Sequence, residues 1–216
     1  MSGKKPAKSP FMVINDFLSP KWCDQISTMV KFNHVDRDAA GFPVKMEKTH
    51  DDAESIIVDQ LEGLVPDIET RYGLKIKSIE KVKFEGFHEG MKSHCQPPGC
   101  ENAVYLKRKW VKVKDVDLTA ILWLSDYQNE TPIDLRYEVF GGKLEFPAPY
   151  FNFSLVPQRG SLIIYPAGPH FITSISNVKV GTLLQARINI TAQDMYLYDP
   201  ANFPGTWKDW FSDHIE

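Results

Sequence analysis

Three segments in the second half of the chain carry the residue types that could do chemistry. They are residues 84–96, 117–146 and 156–191. The first runs through aromatic residues and glycines to His94 and then Gln96, and the third contains His170 and Arg187. Imidazole is a common metal ligand, and the planar guanidinium of arginine suits a carboxylate. The alternatives are that the two histidines are ordinary loop and turn residues and that Arg187 pairs with a surface carboxylate.

The cysteines near His94 raise the question of a zinc site. Cys95 and Cys100 flank this histidine, but no second paired cluster completes four ligands and Cys23 is remote, so zinc is disfavoured. Three cysteines at irregular spacing also do not make a disulfide framework. We therefore expect a reducing compartment and a cytoplasmic protein.

Two helices are predicted before the segments that could do chemistry. The first begins with Ser19 as N-cap and extends to about Phe32. The second covers residues 51–72, with acidic residues in its first turn and an apolar stripe along one face. Gly73 should end it, and Pro66 should kink or split it.

The rest of the chain is typical of a turn-rich β protein. The whole chain has 13 Phe, 8 Tyr and 5 Trp beside 15 Pro and 13 Gly, a mixture that favours short strands over a helix bundle. Strands are predicted at 104–113, 118–124, 143–146, 151–156, 161–165, 171–178 and 183–191. Two helices followed by short strands predict an α+β fold, with a β-barrel or jelly roll as the core and the helices packed on one sheet.

Length and charge limit the organisation and the partners. We expect a flexible basic tail at 1–10 and one domain at 11–216, made of helical support (11–73), a jelly roll (74–192) and a C-terminal extension (193–216). The net charge of −3 argues against a dedicated nucleic-acid binder. The sequence has no apolar run long enough to span a membrane, so we do not expect a membrane protein. The basic residues of 107–114 are interpreted as a solvated edge strand, which leaves a nucleic-acid substrate open.

In order and wording, these segments resemble the prolyl 4-hydroxylase-like branch of the Fe(II)/2-oxoglutarate dioxygenases. That family has an aromatic-glycine segment ending in His-x-Asp, an apolar strand starting Leu-Thr, a Gly-Gly-x-Leu-x-Phe hairpin and a Pro-x-x-Gly-x-Leu turn. A distal histidine and a basic residue on the last strand follow. The matching positions here are 94, 118–124, 141–146, 157–162, 170 and 187, and with a similar opening at 13–23 the resemblance covers nearly all of 11–192.

The resemblance implies a double-stranded β-helix that binds Fe(II) and 2-oxoglutarate, with ascorbate as a candidate reductant. It implies that His94 and His170 bind the metal, with Gln96 at the third position. It also implies that Arg187 and Thr119 hold the keto acid. The implied reaction is hydroxylation of a C–H bond on a protein, a peptide or a small molecule.

The largest departure from the family is Gln96, which stands where the metal-binding Asp or Glu is expected. Its amide oxygen could bind iron weakly, Glu89 or Glu101 could supply the carboxylate, or the position could be vacant, as in halogenase relatives. A second His-x-Asp occurs at 50–52. We interpret it as a helix cap, because it lies in the helical half of the chain.

Other functions stay open beside the oxygenase. Arg187 follows the distal histidine at a spacing more similar to the nucleobase-demethylating branch, yet the second arginine of that branch is Gln193 here. The main alternative is a binding or assembly barrel that has lost iron, and the next is a metal-free or zinc-containing cupin-like protein. The sequence leaves the substrate and the oligomeric state undetermined.

Overall fold

The computed structural model describes residues 9–32, 36–41, 45–91, 100–107, 109–147 and 151–196. Within these ranges there are two α-helices, α1 (Pro20–Met29) and α2 (Asp51–Tyr72), and one short 3-10 helix (Pro169–Phe171). The strands are β1 (Met12–Ile14), β2 (Met46–Lys48), β3 (Ile76–Ile79), β4 (Lys83–His88), β5 (Ala103–Leu106), β6 (Lys109–Lys112), β7 (Leu118–Trp123), β8 (Asp126–Tyr127), β9 (Glu138–Gly141), β10 (Leu144–Phe146), β11 (Phe153–Leu155), β12 (Leu162–Pro166), β13 (Ser174–Ile175) and β14 (Val178–Ala192).

Helix α1 begins where the sequence predicts and ends earlier. The Ser19 hydroxyl accepts the Trp22 N–H, and Pro20 is the first helical residue. The helix ends at Met29, so the predicted extension to Phe32 is wrong. The chain leaves the helix so that the Phe32 ring packs directly on Gly86, where a Cβ would lie 2.8 Å from the ring.

Helix α2 has the bounds that its cap signals predict. Gly73 adopts φ 67°, the left-handed conformation that glycine tolerates best, and ends the helix. His50 caps the other end, with Nδ1 accepting the Ala53 N–H, as the interpretation of residues 50–52 requires. Pro66 does not split the helix. It lies on the exposed side, where water can satisfy the carbonyl that loses its N–H partner.

Strand β14 organises the main sheet. The strand order is β1-β12-β7-β14-β4-β2, with antiparallel pairing throughout. The 15 residues of β14 also pair with β9 near one end and with β3 near the other, so the sheet curls around this strand. A smaller sheet, in the order β11-β10-β13, covers one face of the main sheet, where Phe146 contacts Tyr165 with ring centroids 5.1 Å apart.

This architecture confirms the α+β prediction at the level of two helices and a curled, jelly-roll-like pair of sheets. Buried residues of both helices and of the sheets form one hydrophobic core. Neither helix in the described ranges is long and apolar enough to cross a membrane.

Two strand predictions are wrong in detail. Residues 104–113 form a hairpin of β5 and β6 rather than one strand, because Lys107 turns the chain with φ 49° and Tyr105 then packs on Trp110. Residues 171–178 begin in the 3-10 helix that contains His170, and only β13 and the first residue of β14 are extended.

Candidate functional site

Strand alternation places a row of polar side chains on one face of the main sheet. We call it the inner face and define it by residues of β4, β7 and β14: Glu85, Phe87, Thr119, Ile121, Trp123, Gln185, Arg187 and Asn189. The opposite face carries Gly86 and Leu184, which contact Phe32 and the cavity beside α1. The inner face is therefore the face away from the helices, and the smaller sheet covers it.

Arg187 is the central charge of the inner face. Its side chain is only 13% exposed, and its register partner on β7 is the buried Ile121. Nε donates to Glu85 Oε1 at 3.0 Å and Nη2 donates to Glu85 Oε2 at 3.2 Å, which makes the pair bidentate. Nη1 donates to Oε1 of Glu101, on the segment just before β5. Two carboxylates thus hold the guanidinium in one orientation.

Glu85 is held as firmly as Arg187. Its side chain has no exposed surface. Lys45 donates to Oε1 at 2.8 Å, and the Gln185 amide donates to Oε2 at 2.7 Å from the neighbouring strand. Four polar side chains from three chain segments, counting Glu85 itself, therefore meet at its carboxylate, because β4 and β14 pair with Glu85 directly opposite Gln185.

The charges of this cluster fix each other's protonation state. Burial by itself raises the pKa of Glu85. The nearby positive charges of Arg187 and Lys45 lower this pKa by a larger amount, so the net pKa lies well below the usual range of a glutamate. Burial likewise lowers the pKa of Arg187, and the carboxylates of Glu85 and Glu101 more than reverse that effect. Glu85 and Arg187 are therefore both ionised at neutral pH.

Two buried polar atoms of the inner face have no hydrogen-bond partner within the described ranges. They are Oε1 of Gln185 and Nε1 of Trp123, and their residues lie directly opposite each other on β14 and β7. An unpaired buried acceptor or donor costs about 1–3 kcal/mol, so such atoms usually face a water or a ligand. The inner face thus offers one acceptor and one donor beside the charged cluster.

Thr119 lies at the other end of this face. Its hydroxyl donates to Asn189 Oδ1 at 3.4 Å, and the Asn189 amide donates to Glu80 at 3.2 Å. Lys114 donates to the same Glu80 oxygen at 2.6 Å. The predicted keto-acid residues Thr119 and Arg187 therefore lie on the same face of two adjacent strands. They are diagonal neighbours, because Thr119 is opposite Asn189, which is the next inner-face residue after Arg187 on β14.

Of the three predicted metal ligands, only His170 lies within the part of the chain that the structure describes. His170 is 2% exposed and lies in the 3-10 helix, whose Phe171 ring centroid is 6.4 Å from that of Tyr165, the register partner of Thr119 on β12. His94 and Gln96 lie outside the described residues. No group of three or more metal-binding side chains occurs within the ranges that the structure describes. His170 therefore lies near the inner face, and the metal-binding role of all three residues stays a prediction.

Sequence reasoning missed Glu85, the residue that engages Arg187 most completely. The signal available was a single acidic residue between Phe84 and Phe87 in an otherwise aromatic strand. An inward-facing carboxylate in such a strand needs a buried cation. Lys45 and Gln185 gave no comparable signal.

A cavity lies on the opposite face of the sheet. It has a volume of about 430 Å³ and is bounded by the end of α1, the loop before β9 and the ends of β4 and β14. His88 lines it, with Nδ1 2.9 Å from the Thr182 hydroxyl, and burial lowers the pKa of this histidine. Because successive side chains of a strand point to opposite faces of the sheet, this cavity and the charged cluster lie on opposite faces.

Comparison with known proteins gives matches at the level of structure. No protein-family model and no curated protein matches the sequence. A viral collagen prolyl hydroxylase, vCPH, from Paramecium Bursaria Chlorella virus-1 in its 2OG complex matches with a TM-score of 0.60 and 14% identity, over 84% of this chain and 96% of that one. A Pseudomonas putida prolyl-4-hydroxylase matches with a TM-score of 0.59 and 14% identity, over 87% and 95%.

A third match is a prolyl hydroxylase from Trichoplax adhaerens in complex with a peptide fragment of the hypoxia inducible factor oxygen degradation domain. Its TM-score is 0.56 at 12% identity, over 85% of this chain and 84% of that one. The chain has the fold of these prolyl hydroxylases. At such low identity, the likeness establishes the architecture, and the role of each side chain has to be argued from this chain's own contacts.

Proposed function

We propose that the chain is an Fe(II)- and 2-oxoglutarate-dependent oxygenase of the prolyl 4-hydroxylase-like type, with a double-stranded β-helix as its core. The observation that carries the proposal is Arg187. It is a buried guanidinium on the inner face of a sheet whose fold is shared with prolyl hydroxylases, one of them a 2OG complex. A buried arginine that faces a covered sheet surface is suited to the far carboxylate of a keto acid.

The residues of the chain have separate tasks in this proposal. Arg187 holds the far carboxylate, and the Thr119 hydroxyl contributes a hydrogen bond along the same face. His94 and His170 hold the metal, with Gln96 at the third position. With both bound, the iron would activate dioxygen for C–H hydroxylation, one oxygen atom going to the substrate and the other to 2-oxoglutarate, which would be converted to succinate and carbon dioxide.

The burial of Arg187 supports this use of the site. Its side chain is 13% exposed, and its register partner on β7, Ile121, is fully buried. Exclusion of water from the guanidinium strengthens its attraction for a carboxylate. The donor set fits a keto acid on one condition, that the Nη1 side of Arg187, now bonded to Glu101, becomes available.

For the substrate we propose a peptide. The support is the Trichoplax adhaerens match, a prolyl hydroxylase of the same fold in complex with a peptide fragment. A small-molecule substrate is the alternative, and we propose a cytoplasmic location because the cysteine pattern is not that of a disulfide framework.

Anaerobic titration of the purified chain with Fe(II) and 2-oxoglutarate tests the proposal. We expect the weak visible charge-transfer band of an iron–keto acid complex, together with a rise in melting temperature. Arg187→Met should weaken 2-oxoglutarate binding without removing metal binding, and His170→Ala should remove metal binding. The absence of both the band and the thermal shift in the unmodified chain would overturn the proposal.

A second candidate is a barrel of the same fold that binds a partner and has lost the cofactors. The observation that favours it is that Glu85 and Glu101 already neutralise Arg187. In that case the double variant His94→Ala/His170→Ala should keep the binding function, whereas the oxygenase should lose all turnover.

A further inference from the structure

The carboxylate of Glu101 accepts a hydrogen bond from Arg187, the residue that a bound keto acid needs for its far carboxylate. Arg187 uses Nε and Nη2 for Glu85 and turns Nη1 to Glu101. Glu85 has no exposed surface and lies on the neighbouring strand β4, whereas the Glu101 side chain keeps 28% of its exposure. Of the two partners, Glu101 is therefore the one that can leave Arg187 for water at lower cost.

Hydrogen-bond geometry makes Glu101 and a ligand carboxylate compete for the same nitrogen. Glu85 occupies one edge of the guanidinium with a bidentate pair of hydrogen bonds. A second carboxylate that binds in the same bidentate manner has to use the edge formed by Nη1 and Nη2. Nη1 already donates to Glu101.

Charge balance leads to the same conclusion. Lys45 and Arg187 carry two positive charges, and Glu85 and Glu101 carry two negative charges, so these four groups are neutral together. An added carboxylate would give these side chains and the ligand carboxylate together a net negative charge beside the buried Glu85–Arg187 pair, which is unfavourable. Neutrality returns when Glu101 moves out as the ligand carboxylate moves in.

We propose that Glu101 is an internal competitor for the carboxylate of the ligand, and that its displacement sets the affinity of the chain for 2-oxoglutarate. This inference rests on the proposed function, because it assigns the ligand carboxylate to Arg187. It makes Glu101 a residue that selects among ligands: only a carboxylate that pairs with Arg187 better than Glu101 does will bind.

Isothermal titration calorimetry with 2-oxoglutarate, in anaerobic buffer with and without Fe(II), tests the proposal. The variant is Glu101→Gln, which removes the charge and keeps the size of the side chain, and Glu101→Ala serves as a second variant. The matched control is Glu145→Gln, because Glu145 accepts a hydrogen bond from Ser174 in the smaller sheet. Melting temperatures establish that each variant is folded.

We expect Glu101→Gln and Glu101→Ala to bind 2-oxoglutarate at least about tenfold more tightly than the unmodified chain, since the ligand no longer breaks a charge-assisted hydrogen bond. Glu145→Gln should bind like the unmodified chain. Binding by the Glu101 variants but not by the unmodified chain would also support the proposal. Equal or weaker binding by folded Glu101 variants overturns it and leaves the proposed function standing, whereas no binding by any form overturns both.

Discussion

Replacing Glu85 by glutamine is the sharpest test of the charged cluster on the inner face. The substitution keeps the size of the side chain and removes its charge. It exchanges two charge-assisted hydrogen bonds from Arg187, at 3.0 and 3.2 Å, and one from Lys45, at 2.8 Å, for contacts with a neutral amide. Arg187 then keeps only Glu101 as an acidic partner among its described ion pairs.

The expected cost follows from the burial of the pair. Removing one partner of a buried ion pair typically costs about 3–5 kcal/mol, because the other charge stays buried without compensation. The Glu85 side chain has no exposed surface and that of Arg187 is 13% exposed, but Arg187 keeps Glu101, so we expect a loss near the lower end of the range, about 3 kcal/mol. For a chain of this length, that loss lowers the melting temperature by about 6–12 °C.

Equilibrium unfolding in urea, followed by far-ultraviolet circular dichroism, measures the change. Asp115→Asn is the matched control, because Asp115 forms an exposed ion pair with Lys112, and its loss should leave the free energy of unfolding unchanged within error. A loss below about 1 kcal/mol for Glu85→Gln, with an unchanged urea slope, would refute the inference that this pair is buried and mutually dependent.

Four further predictions concern stability. The pKa of Glu85 is held below its ordinary value in the fold, so its stabilising effect is complete above about pH 4.3 and is lost as the pH falls further. The free energies of unfolding of the unmodified chain and of Glu85→Gln, measured at pH 7, 5, 4 and 3, should therefore converge towards low pH. Gly160→Ala should destabilise by more than about 1 kcal/mol, because φ is 81° and the new Cβ would lie 2.3 Å from the Leu18 carbonyl oxygen. Gly63→Ala, in the open interior of α2, should instead stabilise by about 0.5–1 kcal/mol in the same urea assay. Tyr72→Phe should cost about 1–2 kcal/mol by calorimetric melting, since the hydroxyl lies 2.7 Å from the Ile164 carbonyl oxygen and ties α2 to β12; no change would contradict that role.

Features with local signals were predicted well. The cap at Ser19 and the bounds of α2 depend on residues within a turn of one another, and both are confirmed. The end of α1 and the hairpin of β5 and β6 depend instead on a tertiary contact and on a left-handed Lys107, and both predictions were wrong. A continuous β-like pattern does not reveal a turn made by a non-glycine residue.

The candidate site shows the same division. Arg187 and His170 could be chosen from ordered motifs, and the structure places Arg187 on a buried face. Glu85 could not be paired with it, because the two lie 102 residues apart in sequence and meet only through the register of β4 and β14. Register is set by the packing of a whole sheet, and a single sequence carries little information about it.

The most direct test of the central claim is a crystal structure of the chain grown anaerobically with Fe(II) and 2-oxoglutarate. We predict one metal ion bound by His94 and His170, and the far carboxylate of the keto acid on Nη1 of Arg187, with Glu101 turned away. A structure with 2-oxoglutarate in the crystallisation buffer, no metal at His170 and Arg187 still bonded to both Glu85 and Glu101 would contradict the account.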